Sequence, residues 1–158
     1  MKRFLIPTDF SPVATQALAF GIHLAKKNGA SISVIHVFDH QLLETDLLPF
    51  HIDQALAKGE LPHAEEQASL HVSTLMRKEG AEVPFEVLMQ DGFPKEKILD
   101  SCQKGIFELI IMGTTGATNK LESFFGSTTS AVKKLVIRAK NIRVHLFFII
   151  NKFIYIQI

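Results

Sequence analysis

Short apolar runs of strand length alternate along this chain with segments of helical period, and few folds accept that alternation. Phe4-Leu5-Ile6-Pro7, Val34-Ile35-His36-Val37 and Leu109-Ile110-Ile111-Met112 are apolar without a break wide enough to mark a solvent face, as expected of strands covered on both sides. Parallel strands cannot be joined by a tight turn, so each pair needs a crossover, and a helix is the usual one. The pattern therefore predicts an α/β domain with a parallel sheet.

The punctuation places the elements. Strands are expected at about Arg3 to Thr8, Ser31 to Phe38, Val83 to Met89 and Phe107 to Met112. A first helix runs from Pro12, behind a Ser11 cap, to about Asn28; Ala14, Ala17, Leu18, Gly21, Leu24 and Ala25 form its apolar stripe, and Gly29 stops it. Pro62 opens a second helix to about Glu79, with Gly80 as its cap. Asp91-Gly92 makes a turn, Pro94 opens a third helix to about Gln103, and a fourth is expected from Ser127 to about Ala139. Residues 39–61 carry apolar side chains without a clean period, and a flap or short helix is the expectation there. No internal repeat or low-complexity linker interrupts the chain.

Gly113-Thr114-Thr115-Gly116 follows the fourth apolar run, and after nine residues come Gly126-Ser127. Glycine brings backbone close to a ligand with no Cβ in the way. Ser127, Thr128 and Thr129 then offer amides and hydroxyls at a helix start, where the dipole favours anions. This suits a phosphate cradle, and it equally suits a surface loop whose helix is capped by Ser127. Neither the Walker lysine nor the dinucleotide fingerprint is present. Lys120, between the glycines, is placed either to reach a terminal phosphate or to sit in solvent.

The start of the chain adds the second half of the pattern. An apolar strand runs through Pro7-Thr8-Asp9-Phe10-Ser11-Pro12, ending in a carboxylate and a capped helix. Together with the glycine spacing, this segment resembles the universal stress protein family over about residues 1 to 140, and both ends of the motif match that family's ATP-binding branch. The resemblance implies a Rossmann-like domain of the adenine nucleotide alpha-hydrolase kind: a doubly wound five-stranded parallel sheet, helices on both faces, strand order 3-2-1-4-5. Open sheets of this kind take ligands beyond the carboxyl ends of their strands, where the strand order reverses.

It further implies an adenine-nucleotide site. Pro7 and Thr8 would shape the adenine wall, and Asp9 would approach the ribose or the metal-bound phosphates; by its sequence alone Asp9 is as well explained as a turn cap. Val37 would meet the adenine through its backbone, and Met112 would lie beneath the sugar or simply in the core. Gly113, Gly116 and Gly126 would give close approach, and Ser127 with Thr128 would contact phosphates. The cofactor is ATP or another adenine nucleotide, with Mg2+ entering only through the nucleotide.

Other chemistries find less support. The net charge of +1, from 17 basic and 16 acidic residues, gives no electrostatic reason to expect nucleic acid. The single cysteine, Cys102, permits no intrachain disulfide and fits a reducing compartment; the apolar run before Asp9 is too short for a signal peptide core. A cytoplasmic location follows. The histidines do not fall at metal-ligand spacing: His36 and His40 are divided between a strand end and a loop, and His63 and His71 are two helical turns apart. No nucleophile elbow, paired carboxylates or arginine clamp appears near the glycines. The expected role is therefore nucleotide-dependent regulation in a stress response, with a slow ATPase or nucleotidyl-transfer enzyme as the alternative.

The tail departs from the family. Where a Pro-Val pair is usual, the chain has Arg143-Val144, followed by a bulky apolar run to Ile150, and residues 151–158 form an apolar extension beyond a single domain spanning residues 1–150. Arg143, His145, Asn151 and Lys152 break any span long enough for a membrane helix. The expected use of the segment from about Ile142 to Ile150 is as a terminal strand pairing two copies into a homodimer, with residues 153 to 158 adding a strand or crossing to the partner. A further protein partner is of unknown identity.

Overall fold

The computed structural model describes residues 1–38, 55–56, 58–104, 106–113, 145–150 and 153–157, the last two segments as backbone. The elements are β1 (Arg3–Pro7), α1 (Pro12–Asn28), β2 (Ser31–Phe38), α2 (Leu61–Lys78), β3 (Phe85–Asp91), α3 (Pro94–Gln103), β4 (Leu109–Gly113), β5 (His145–Ile150) and β6 (Phe153–Gln157). They form one sheet in the order β3-β2-β1-β4-β5-β6.

The first five strands are parallel, in the order 3-2-1-4-5. A sixth strand extends these five, the first of the two uses expected for residues 153 to 158. β6 runs antiparallel to β5, with Ile150 opposite Phe153, so that the two residues Asn151 and Lys152 make the connection. A link that short can only reverse the chain, which is why the added strand is antiparallel. The expected fourth helix, from Ser127 to Ala139, lies outside the described residues.

The pleat sends alternate residues to opposite faces. Phe4, Ile6, Ile32, Val34, Leu109 and Ile111 point to one side, where they pack with Ala17, Leu18, Ile22 and Ala25 of α1 and Val72, Leu75 and Met76 of α2. Leu5, Ile35, Ile110 and Met112 point to the other, against Ile98 and Cys102 of α3 and Phe107. Leu5, Ile6, Leu18, Ile22, Ile35, Ile110 and Ile111 are essentially fully buried. Each such side chain contributes about 1.5–3 kcal/mol of transfer free energy, so the double coverage of the sheet is the main source of its stability.

The local signals act as expected at α1. Ser11 Oγ accepts the Ala14 N–H at 3.2 Å, Pro12 occupies the first turn, and Gly29 closes the helix with φ 61°. That left-handed conformation favours glycine. β3 begins two residues later than the apolar run suggests. Pro84 has no N–H to give the ladder; its carbonyl instead accepts the Ile32 N–H at 3.0 Å, and pairing starts at Ile32 with Phe85.

Candidate functional site

The order of the strands sets the site. β1 lies between β2 and β4, and the chain reaches these two neighbours by crossovers on opposite faces, so the order reverses between β1 and β4. The crevice beyond their carboxyl ends is where such a sheet takes a ligand. Leu5 is level with Ile110 and Pro7 with Ile35. Continuing both registers sets Thr8 between His36 and Gly113, and brings Asp9 level with Val37. Adjacent strands are about 4.8 Å apart, so Thr8, Asp9, Val37 and Gly113 share one end of the sheet.

Asp9 is exposed there, the second residue of the loop that leaves β1. Its Oδ1 accepts the Ser11 N–H at 3.0 Å, an Asx-type turn that leads into the α1 cap. This is the turn role that the sequence allowed for Asp9. Thr8 is buried and bonded through three of its atoms. Its N–H donates to Ile35 O at 2.9 Å, its Oγ1 accepts the Phe10 N–H at 3.0 Å, and its carbonyl oxygen lies 3.0 Å from His36 Nδ1. Pro7 is buried beside it, whereas Val37 at the end of β2 is half-buried. Met112 is 4 % exposed and packs in the core on the α3 side, with Ile98 and Cys102 nearby. Gly113 is the last residue of β4. Gly116, Gly126, Ser127 and Thr128 lie outside the described residues, as does Lys120.

Three residues near the site had no signal in the sequence reading. Phe10 adopts φ 58°, a left-handed conformation rare for an aromatic residue, which costs about 1–2 kcal/mol. Its ring packs 5.1 Å from the His36 ring and edge-on at 5.4 Å from that of His71. The buried contacts with Phe38, Leu56 and Ala64 in the same cluster offset the strain. His36, 4 % exposed, donates from Nδ1 to Thr8 O, since a carbonyl oxygen can only accept. His71 Nε2 lies 3.5 Å from Thr15 Oγ1, and burial pushes its pKa below the ordinary 6.5. Only the histidine spacing was legible beforehand; the convergence of β2 and α2 on Phe10 is a product of folding.

Burial pushes the Cys102 thiol up to about 12, and its Sγ–H donates to Ile98 O at 2.9 Å within α3. Among the described residues, no group of three or more His, Cys, Asp or Glu side chains is arranged to hold a metal ion. No described helix is long and apolar enough to cross a membrane.

Comparisons with known proteins bear on the family and the fold. The model of the universal stress protein family matches residues 1–136. A universal stress protein of Methanocaldococcus jannaschii, MJ0531, is 30% identical over 133 residues, covering 84% of this chain and 76% of its own. The solved universal stress protein UspA from Lactobacillus plantarum superposes with a TM-score of 0.65 at 25% identity, over 94% of this chain and 97% of its own. A universal stress protein family protein from Arabidopsis thaliana, solved with AMP bound, shares the fold at a TM-score of 0.59 and 12% identity, over 94% and 91% of the two chains.

Proposed function

Because this chain belongs to the universal stress protein family, we propose that it is an ATP-binding regulatory protein, in which the nucleotide shifts conformation or assembly during a stress response. The observation that carries the proposal is topological: Asp9 follows β1 and Gly113 ends β4, neighbouring strands at whose carboxyl ends the strand order reverses. The AMP bound by the Arabidopsis relative supports an adenine nucleotide as the ligand class.

In this reading Asp9 meets the ribose or the Mg2+-bearing phosphates, Val37 meets the adenine through its backbone, and Pro7 and Thr8 back the adenine wall. The buried Thr8, bonded within the protein through its N–H, its carbonyl and a lone pair of Oγ1, would serve to shape that wall. Met112 supports the floor from the core side. Gly113 opens the phosphate loop, which Gly116, Gly126, Ser127 and Thr128 complete. The described residues fit the group: an exposed carboxylate, a half-buried strand end and a glycine lie at the carboxyl ends of three neighbouring strands, and Mg2+ arrives with the triphosphate because the described residues hold no carboxylate cluster that could bind it alone.

Regulation requires that ATP bind two states with different affinity, and turnover is not needed. We place the protein in the cytoplasm as a homodimer joined along the C-terminal edge of the sheet. Because β6 covers β5 within one chain, the edge available to a second copy is that of β6 rather than of Ile142 to Ile150.

The test is mass spectrometry of small molecules released on denaturing the purified protein, followed by calorimetric titration with ATP, ADP and AMP. One adenine nucleotide per chain, unhydrolysed over hours, is expected. Absence of binding overturns the proposal. Steady phosphate or pyrophosphate release at about 1 to 1000 per second, lost in Asp9→Ala, would establish the enzyme alternative instead.

A further inference from the structure

We infer that His36 is a positioning residue of the nucleotide site, holding the Asp9 turn in place from the neighbouring strand; the inference rests on the nucleotide reading above. Asp9 is exposed and makes one local hydrogen bond, which cannot by itself fix the backbone that presents it. Both of its chain neighbours are held by the same buried imidazole. His36 Nδ1 donates to the carbonyl of Thr8 at 3.0 Å, and the His36 ring lies 5.1 Å from that of Phe10, tilted by 47°.

The first contact fixes the plane of the Thr8–Asp9 peptide. In a trans peptide the N–H lies opposite the C=O, so tying Thr8 O to His36 also sets the direction of the Asp9 N–H. The second contact supports Phe10 in its left-handed conformation, which the Thr8 Oγ1 bond to the Phe10 N–H completes. With the residues on each side anchored, little rotation remains at Asp9. His36 stands 28 residues from Thr8 in sequence, so a change in β2 is transmitted directly to the carboxylate that follows β1. The contact also specifies chemistry at the ring: Nδ1 must carry a proton.

The experiment is a double-mutant cycle on ATP affinity, measured by calorimetry with the full chain. His36→Phe keeps a ring but loses the donor; His36→Asn keeps an amide donor near the place of Nδ1. His36→Phe is expected to weaken ATP binding about tenfold, the scale of one lost hydrogen bond, and His36→Asn to recover most of it. In an Asp9→Asn background, His36→Phe should add no further loss, because its effect passes through Asp9. An equal loss in both backgrounds, or no loss in either, overturns the inference while leaving the nucleotide reading intact.

If His36→Phe does not fold, Phe10→Leu takes its place in the cycle, removing the other tether while the Thr8 carbonyl stays bonded. Long-range proton–nitrogen NMR of the nucleotide-free chain gives a readout independent of ligand: the His36 ring should carry its proton on Nδ1, and a bare Nδ1 overturns the inference. A wild-type chain that binds no adenine nucleotide removes the underlying reading instead.

Discussion

A Cβ at Gly113 would lie 2.8 Å from the carbonyl oxygen of Val13 and 2.9 Å from its carbonyl carbon. The end of β4 thus sits directly against the first turn of α1. Gly113 is not among the residues with positive φ, so the backbone conformation does not demand glycine here. Space does, and the neighbour is backbone that cannot swing aside. Gly113→Ala is expected to cost about 1–3 kcal/mol in stability without nucleotide, as overpacking does. Thermal unfolding in nucleotide-free buffer checks this, and an unchanged midpoint would contradict it. Gly113→Val should be worse, so a loss of ATP binding in either variant is not evidence of ligand contact unless stability is measured beside it.

Asp9 separates the two roles cleanly. Asp9→Asn keeps an oxygen for the Ser11 N–H and removes the charge; Asp9→Ala removes both. Stability should stay within about 0.5 kcal/mol for Asn and fall by about 0.5–1.5 kcal/mol for Ala. ATP affinity should fall in both. Equal ATP affinity in wild type and Asp9→Asn would remove the carboxylate from the site.

His71 predicts a pH dependence. Burial holds its folded pKa below the ordinary 6.5, so the folded state resists a proton that the unfolded chain accepts. Stability should therefore fall as pH drops below about 6.5 toward the folded value, with no contribution from this group above that range. Denaturant titrations of wild type and His71→Gln across this interval provide the check, because the other titrating groups cancel in the difference. A slope unaltered by the substitution would be the contrary result.

Cys102 should be inert in the native chain. With its thiol pushed up to about 12 and its side chain buried in α3, almost no thiolate is present near neutral pH. A chromogenic disulfide reagent at pH 8 should label the denatured chain rapidly and the native chain only as fast as it opens.

Truncation after Ile150 tests the tail. β6 pairs with β5 from Leu146 to Ile150, and removing it leaves β5 with an unpaired row of N–H and C=O groups. Sedimentation should show a changed state of association, while ATP affinity is retained because the crevice between β1 and β4 lies elsewhere in the sheet. Identical association in both chains would show that this edge takes no part in assembly.

The elements themselves were legible because their causes are local. Ser11-Pro12 and Gly29 bound α1, and unbroken apolar runs mark strands covered on both faces; the turn expected at Asp91-Gly92 begins only at Gly92, because Asp91 still pairs with Phe38 at the end of β3. Asp9 and Gly113 were singled out by type and position, and the five-strand order followed from resemblance rather than from period. Tertiary structure decided what depends on distant partners. It made glycine at 113 a matter of clearance from Val13, tied Thr8 to β2 through Ile35 and His36, and packed the rings of His36 and His71 against a strained Phe10. It also folded β6 back onto β5. Hydrophobic period, caps and turns report the conformation of a segment, but a side chain's partner is set by which strands become neighbours, and that choice is made only when the sheet assembles.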